Sequence, residues 1–366
     1  EFNLSFESYE SMNKLNSDKY EFVYPNYSLS KAVDLENDLV ESLDFTSTGN
    51  QKKFSTNIYE AIQVNDLILA SSKFINKLGF NNGFKTIIKN VNSDSNNSSK
   101  LKEKKQSELL TLISYDVDVP LIKEDGDNLN LLIPKLSLRF SPNDTKNLKD
   151  EDRLLSTDNI FSLNRIGFNE TIEGGGSLTL GLDYEKKNQR NGHLFDAKVA
   201  TVFRDELNEN LPTSSTLGKK QSDFVGELRY IPNTKFTFDY NFSVDNDLNQ
   251  VNFHSLENSF TVNNFVNTFT FDEENNIVGK KSYYENTLSY KFNENNSFSF
   301  KTRENKTDNL TEYYNLIYEY KNDCLTASIT YNKDYYSSGN IKPNEELFFN
   351  ITLIPLGSTK TDSILE

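Results

Sequence analysis

Two histidines, one cysteine and a few close pairs of carboxylates are the residues of this 366-residue chain that could do chemistry. His254-Ser255 sets a base beside a hydroxyl, the pair a hydrolase needs within hydrogen-bond reach. Adjacent residues of a strand point to opposite faces, so a working pair on one strand wants a spacing of two. A histidine in a polar sheet otherwise serves as a solvated or hydrogen-bonded bystander, and His193 reads the same way. Asp116-Val117-Asp118 places two carboxylates on one strand face, and Asp125-Gly126-Asp127 lies in a turn. Neither has the ligand count of a calcium loop, and solvated strand ends account for both. Gly174-Gly175-Gly176 is followed by no Lys-Ser/Thr and opens no helix, so it reads as a strand-start kink or a close backbone approach, not a phosphate loop. The expectation is a protein with no catalytic residue, no metal site and no cofactor.

The elements that would position these residues are read from their period. In 345–355, Leu347, Phe349, Ile351 and Leu353 recur at every second residue, with Phe348, Asn350 and Thr352 between them. A period of two sends alternate side chains to opposite faces of a strand. The stretch 235–244 sets Phe236, Phe238, Tyr240, Phe242 and Val244 against Thr237, Asp239, Asn241 and Ser243, and 177–184 is apolar at every even position. The first half alternates more loosely, and 66–78 could be a short helix. Turn signals separate about 16–18 strand-length segments in the manner of an antiparallel meander. Loops near 91–107, 141–173 and 205–221 read as long, as do 272–281 and 303–311. Those at 187–192, 293–296 and 321–323 read as short. Short turns on one side and long loops on the other is the arrangement of outer-membrane barrels. The predicted fold is all-β, an antiparallel up-and-down transmembrane β-barrel over 1–366 with a polar tail at 356–366. A soluble all-β sheet shares the alternation, because alternation alone does not separate lipid-facing from core-facing residues.

Composition sets the outer bounds. The net charge of -15 argues against a general nucleic-acid binder. No stretch approaches the ~20 apolar residues of a transmembrane helix, but a spanning strand needs only ~9–11, half of them facing water. The mean hydropathy of -0.64 is therefore compatible with a barrel, and the 27 Phe and 19 Tyr favour strands and interfacial girdles.

Particular residues carry a resemblance. Tyr313-Tyr314-Asn315-Leu316-Ile317-Tyr318-Glu319-Tyr320-Lys321-Asn322-Asp323-Cys324-Leu325, followed by 347–353, resembles the C-terminal end of the LptD family of outer-membrane lipopolysaccharide-assembly proteins. Ile133-Pro134-Lys135, Ser141-Pro142-Asn143, 158–165, Gly174 to Gly176 and Gly181-Leu182 are similar to that family's long mid-barrel loop and following strand. The resemblance is strongest from 134 to 355. It implies transport of lipopolysaccharide into the outer leaflet through a laterally opening barrel. It implies an LptE-like plug lipoprotein, periplasmic bridge proteins, the barrel-assembly machinery and outer-membrane lipid as partners. It also implies that this chain is an incomplete C-terminal portion of a larger barrel, preceded by a jelly-roll domain and further strands. On that reading Leu347, Phe348, Phe349, Asn350, Ile351, Thr352, Leu353 and Pro355 form one lip of the lateral gate, with Pro355 removing a donor at the strand end.

The chain departs from the family in two places. Family members often carry adjacent cysteines near the end, joined to N-terminal ones. Here Cys324 stands alone at a short turn, either disulfide-bonded to a partner outside this chain or a small buried or free thiol. Asn169-Glu170 replaces the family's usual Asp-Arg, so no role is carried over to that loop. The alternatives from other classes are a passive porin or receptor-type barrel, a hydrolase using His254, and a soluble adhesin-like β protein.

Overall fold

The computed structural model describes residues 1–10, 20–33, 35, 37–54, 57–98, 101–276, 279–335, 342–353 and 357–360. The described residues form one sheet of 21 strands in which every pairing is antiparallel. Its first part runs β1 Phe2–Glu10, β2 Tyr20–Val33, β3 Val40–Phe54, β4 Tyr59–Ser71, β5 Phe74–Ile75, β6 Asn81–Asn96, β7 Gln106–Asp118, β8 Leu121–Asp125 and β9 Asn128–Ser141. After a long loop come β10 Gly175–Asn188, β11 Leu194–Arg204, β12 Phe224–Asn233, β13 Phe236–Val244, β14 Val251–Val262 and β15 Phe265–Asn276. The sheet continues through β16 Gly279–Lys291, β17 Asn296–Asn305, β18 Leu310–Lys321, β19 Leu325–Asp334, β20 Asn344–Leu353 and β21 Gly357–Lys360. Setting aside β5, β8 and β21, which have 2, 5 and 4 residues, the remaining strands match the expected number.

Each long strand ladders to the next along the chain, so the fold is an up-and-down meander. The sheet is not closed. Among the described residues β1 ladders to β2, β20 to β19 and β21, and no ladder joins β1 to β20 or β21. Within 66–78 there is no helix; β4 runs to Ser71, β5 follows two residues on, and a turn at Lys77-Leu78 leads toward β6.

Three loops read as long are shorter; that at 303–311 is only the four residues 306–309 between β17 and β18, and the other two lie where strands run on. β6 continues to Asn96 and β7 begins at Gln106, so the first is 97–105. β15 and β16 ladder from Phe265↔Tyr290 up to Asn276↔Gly279. In both places the apolar alternation fades before the strand ends, while the backbone groups go on pairing because each needs a partner.

Register fixes what each face carries. Leu138, Leu178 and Phe203 lie side by side on β9, β10 and β11, and so do Leu136, Leu180 and Thr201. On the opposite face the rows are Arg139–Ser177–Arg204 and Ser137–Thr179–Val202. The apolar face is bare: Leu138 is 48% and Phe140 57% exposed. The polar face is buried: Thr179 is 0% and Arg139 5% exposed. A water-soluble sheet buries its apolar face, so the polarity here is inverted.

Candidate functional site

The buried face is covered by loops 142–174 and 205–223. Leu148, Leu155, Ile160 and Ile166 from the first and Leu211 and Leu217 from the second pack on Ala200 and Val202 of β11 and Val225 of β12. Ile172 packs on Val64, Ile87, Val91, Leu110 and Leu112 of β4, β6 and β7. The loops also hold each other: Leu148 N donates to Asn210 O at 2.7 Å, and Asn208 and Asn210 donate to Thr145.

A charged latch fixes the first loop to the wall. Arg165, fully buried, donates from Nε and Nη2 to the Glu173 carboxylate at 2.6 and 2.5 Å. It also donates to Thr179 Oγ1 and Ser177 Oγ on β10, each at 2.8 Å. Arg204 of β11 donates to Glu173 and to Gly174 O, and Arg139 of β9 donates to Ser162 O and Leu163 O at 2.6 Å each. Glu173 lies two residues before the start of β10. Burial alone would raise its pKa, but the Arg165, Arg139 and Arg204 guanidiniums prevail and hold it down at about 2.

The glycines make room for this docking. A Cβ on Gly181 of β10 would lie 2.7 Å from the Phe161 ring, so the loop's aromatic tip sits directly on the strand backbone. A Cβ on Gly174 would come closer still to Asn143 O, and Gly175 has φ +82, in the left-handed region that favours glycine. The triple glycine is therefore both the kink and the close approach expected of it.

Beyond the loops the covered face continues in two different sectors. On β11 to β18 it is a ladder of charges. Lys198 Nζ lies 3.1 Å from Glu227, Arg229 Nε 3.3 Å from Asp239 and Lys301 Nζ 2.9 Å from Glu285. On β1 to β3 its middle carries Asn, Ser and Thr, with Glu7 and the Lys52–Glu21 pair beyond them on the same face.

The residues that invited chemistry stand apart. His254 lies on the bare face in the row Gly226–Phe242–His254–Glu273, edge-on to Phe271, while Ser255 belongs to the charged face beside Asn241 and Asp272. His193 is exposed in a turn, its N–H bonded to Asn191 Oδ1. Asp116 is paired with Lys85 at 3.0 Å and accepts from Ser137 Oγ. Asp118 accepts from Asn81 at 2.7 Å and pairs with Lys73. These two are engaged in ion pairs, not simply solvated.

On β20, Leu347, Phe349, Ile351 and Leu353 share the bare face, and Phe348, Asn350 and Thr352 the other. Pro355 lies outside the described residues. Part of the expected polar tail, β21, returns along β20 with Leu353↔Gly357 to Asn350↔Lys360 in register. Cys324 is exposed in the β18–β19 turn, its N–H bonded to Asn322 Oδ1, so it is not a buried thiol. Arg139, Arg165, Glu173 and Arg204 were not singled out from sequence. The available signal was a long loop far richer in Leu, Ile and Phe than a solvated loop needs.

A family model described as LptD, LPS transport system D, matches residues 36–271, more than half of the chain, and takes in both loops and the whole latch. No curated protein matches. Among solved structures, the siderophore receptor PirA from Acinetobacter baumannii is 8% identical with a TM-score of 0.49, over 96% of this chain and 68% of that one. A mutant of the Rh. blastica porin is 8% identical with a TM-score of 0.32, over 92% of this chain and 95% of that one. At such scores the fold rests on the strand ladders themselves.

Proposed function

The chain belongs to the LptD family, and from that membership we propose that it is a non-enzymatic transporter inserting lipopolysaccharide into the outer leaflet of the bacterial outer membrane. A glycolipid is divided between two solvents. Its sugars need a polar route, and its acyl chains an apolar exit. The observation that carries the reading is the inverted polarity of the sheet: apolar side chains bare on one face, polar and charged ones on the other. The bare face meets lipid and the other lines the route.

The exit is lateral, at the seam where β20 meets the strand that closes the barrel. Opening it breaks ladder hydrogen bonds worth about 0.5–1.5 kcal/mol each, so a seam that opens should be short. Leu347 to Leu353 form its lip. An LptE-like lipoprotein fills what the loops leave of the lumen. Periplasmic bridge proteins deliver the cargo, and the barrel-assembly machinery inserts the protein. A passive pore is disfavoured by the two loops packed on the inner wall.

The test is a reversible lock. Cysteines placed across the seam at the level of Glu346, where β21 does not lie along β20, in the intact protein in cells, should stop lipopolysaccharide reaching the surface when oxidised and restore it on reduction. Unimpaired export with the lock formed refutes the lateral exit. Normal surface lipopolysaccharide after depletion of the protein refutes transport.

A further inference from the structure

Two rows cross β1, β2 and β3 on the covered face: Asn3–Ser28–Thr48 and Ser5–Asn26–Asn50. All six side chains are hydroxyls or amides. Opposite them stand Asn169 and Glu170, which loop 142–174 carries across from the latch, and Ile62 and Val64 of β4 complete a cavity of about 620 Å³. The lining itself carries one charge, Glu170; beside it on the same face Glu7 accepts from Ser5 Oγ and Asn26 Nδ2, and Lys52 is paired with Glu21 at 2.9 Å. Asn50 Oδ1 is buried and has no hydrogen-bond partner among the described residues. An acceptor held out of water in this way calls for a donor.

Neutral rows of amides and hydroxyls exchange hydrogen bonds with sugar hydroxyls, and the lysine beside them is already paired with a carboxylate, which leaves little to hold a phosphate. The charge ladder of β11 to β18 has the opposite character, and from β4 to β12 the wall is taken up by the loops. We propose that this cleft binds the neutral sugars of the transported glycolipid, their hydroxyls bonded to Asn26, Thr48 and Asn50, with Asn169 and Glu170 as the opposing lip. The proposal rests on the transport reading and assigns the sugars to one sector of the wall. It also gives Asn169-Glu170 a place, although the pair differs from the family's pattern.

The experiment uses the full-length protein in its own cells. A photoreactive amino acid is introduced at Ser28 or Thr48 in the cleft, at Asn241 in the charged sector, or at Leu180 on the bare face. After irradiation, adducts with lipopolysaccharide should be several-fold stronger from both cleft positions than from Asn241 or Leu180. In cells whose lipopolysaccharide is truncated before its neutral core sugars, the cleft adducts should fall several-fold. Asn50→Leu should weaken adducts from Ser28 by about 2- to 10-fold, the factor one neutral hydrogen bond contributes. Equal or stronger adducts at Asn241, none from the cleft, or cleft adducts indifferent to truncation overturn the site and leave transport standing. Loss of the transport reading is seen separately, as normal surface lipopolysaccharide after depletion.

Discussion

Arg165 is the most deeply buried charged residue among those described. Its guanidinium is out of water, and its donors reach Glu173, Ser177 and Thr179. Removing one partner of such a buried pair costs about 3–5 kcal/mol, because the other charge is stranded. Arg165→Ala should therefore release loop 142–174, read as faster protease cleavage within it. Arg165→Lys should not rescue it, since an ammonium cannot reproduce the fork on the carboxylate. Unchanged cleavage in both variants would show that the latch holds nothing. Glu173 adds a pH dependence of definite sign. Its folded pKa of about 2 lies below the ordinary 4.5, so its contribution is full above the ordinary value and is lost as pH falls toward about 2. Loop protection, followed by hydrogen exchange, should be flat over about pH 5–8 and decline below it, and Glu173→Gln should remove the decline.

At the level of elements, the docked loop is as much a part of the fold as the strands. Phe161 rests where Gly181 has no side chain. Gly181→Ala puts a methyl into that ring and should cost about 1–3 kcal/mol as overpacking. Phe161→Ala in the same protein should relieve most of the clash, so the two substitutions should be strongly non-additive in urea unfolding of the folded protein. Simple additivity would mean that the tip does not sit on the strand. These contacts also mark what could be read from sequence. β10, β13 and β20 were legible because their alternation is a local property of the chain. β21 was not, because Gly-Ser-Thr-Lys has no apolar period. The latch was not, because Arg165 meets Arg204 only through a carboxylate, and the register that brings β9, β10 and β11 together is set by pairing and not by spacing. The His254-Ser255 separation was legible, since it follows from the pleat alone.

For the whole molecule the decisive property is which face meets hydrocarbon. Leu180 and Thr179 are neighbours in β10, yet Leu180 is 39% exposed and Thr179 0%. Leu180 is flanked by Leu136 and Thr201 on the adjacent strands. If that face lies in the bilayer, Leu180→Arg must carry a charge into lipid, costing about 2–4 kcal/mol near the midplane and less toward the interfaces. If it faces water, the same change is an ordinary surface substitution, within about 0.5 kcal/mol. Asn241→Arg on the opposite face is the control. It enters a row with Glu227 and Asp272 as near neighbours and should be tolerated on either view. Urea unfolding of the full-length protein in lipid vesicles measures both. A large penalty at Leu180 with little at Asn241 fixes the bare face against lipid. Small penalties at both positions would return the sheet to water, and with it would go the split route for sugars and acyl chains.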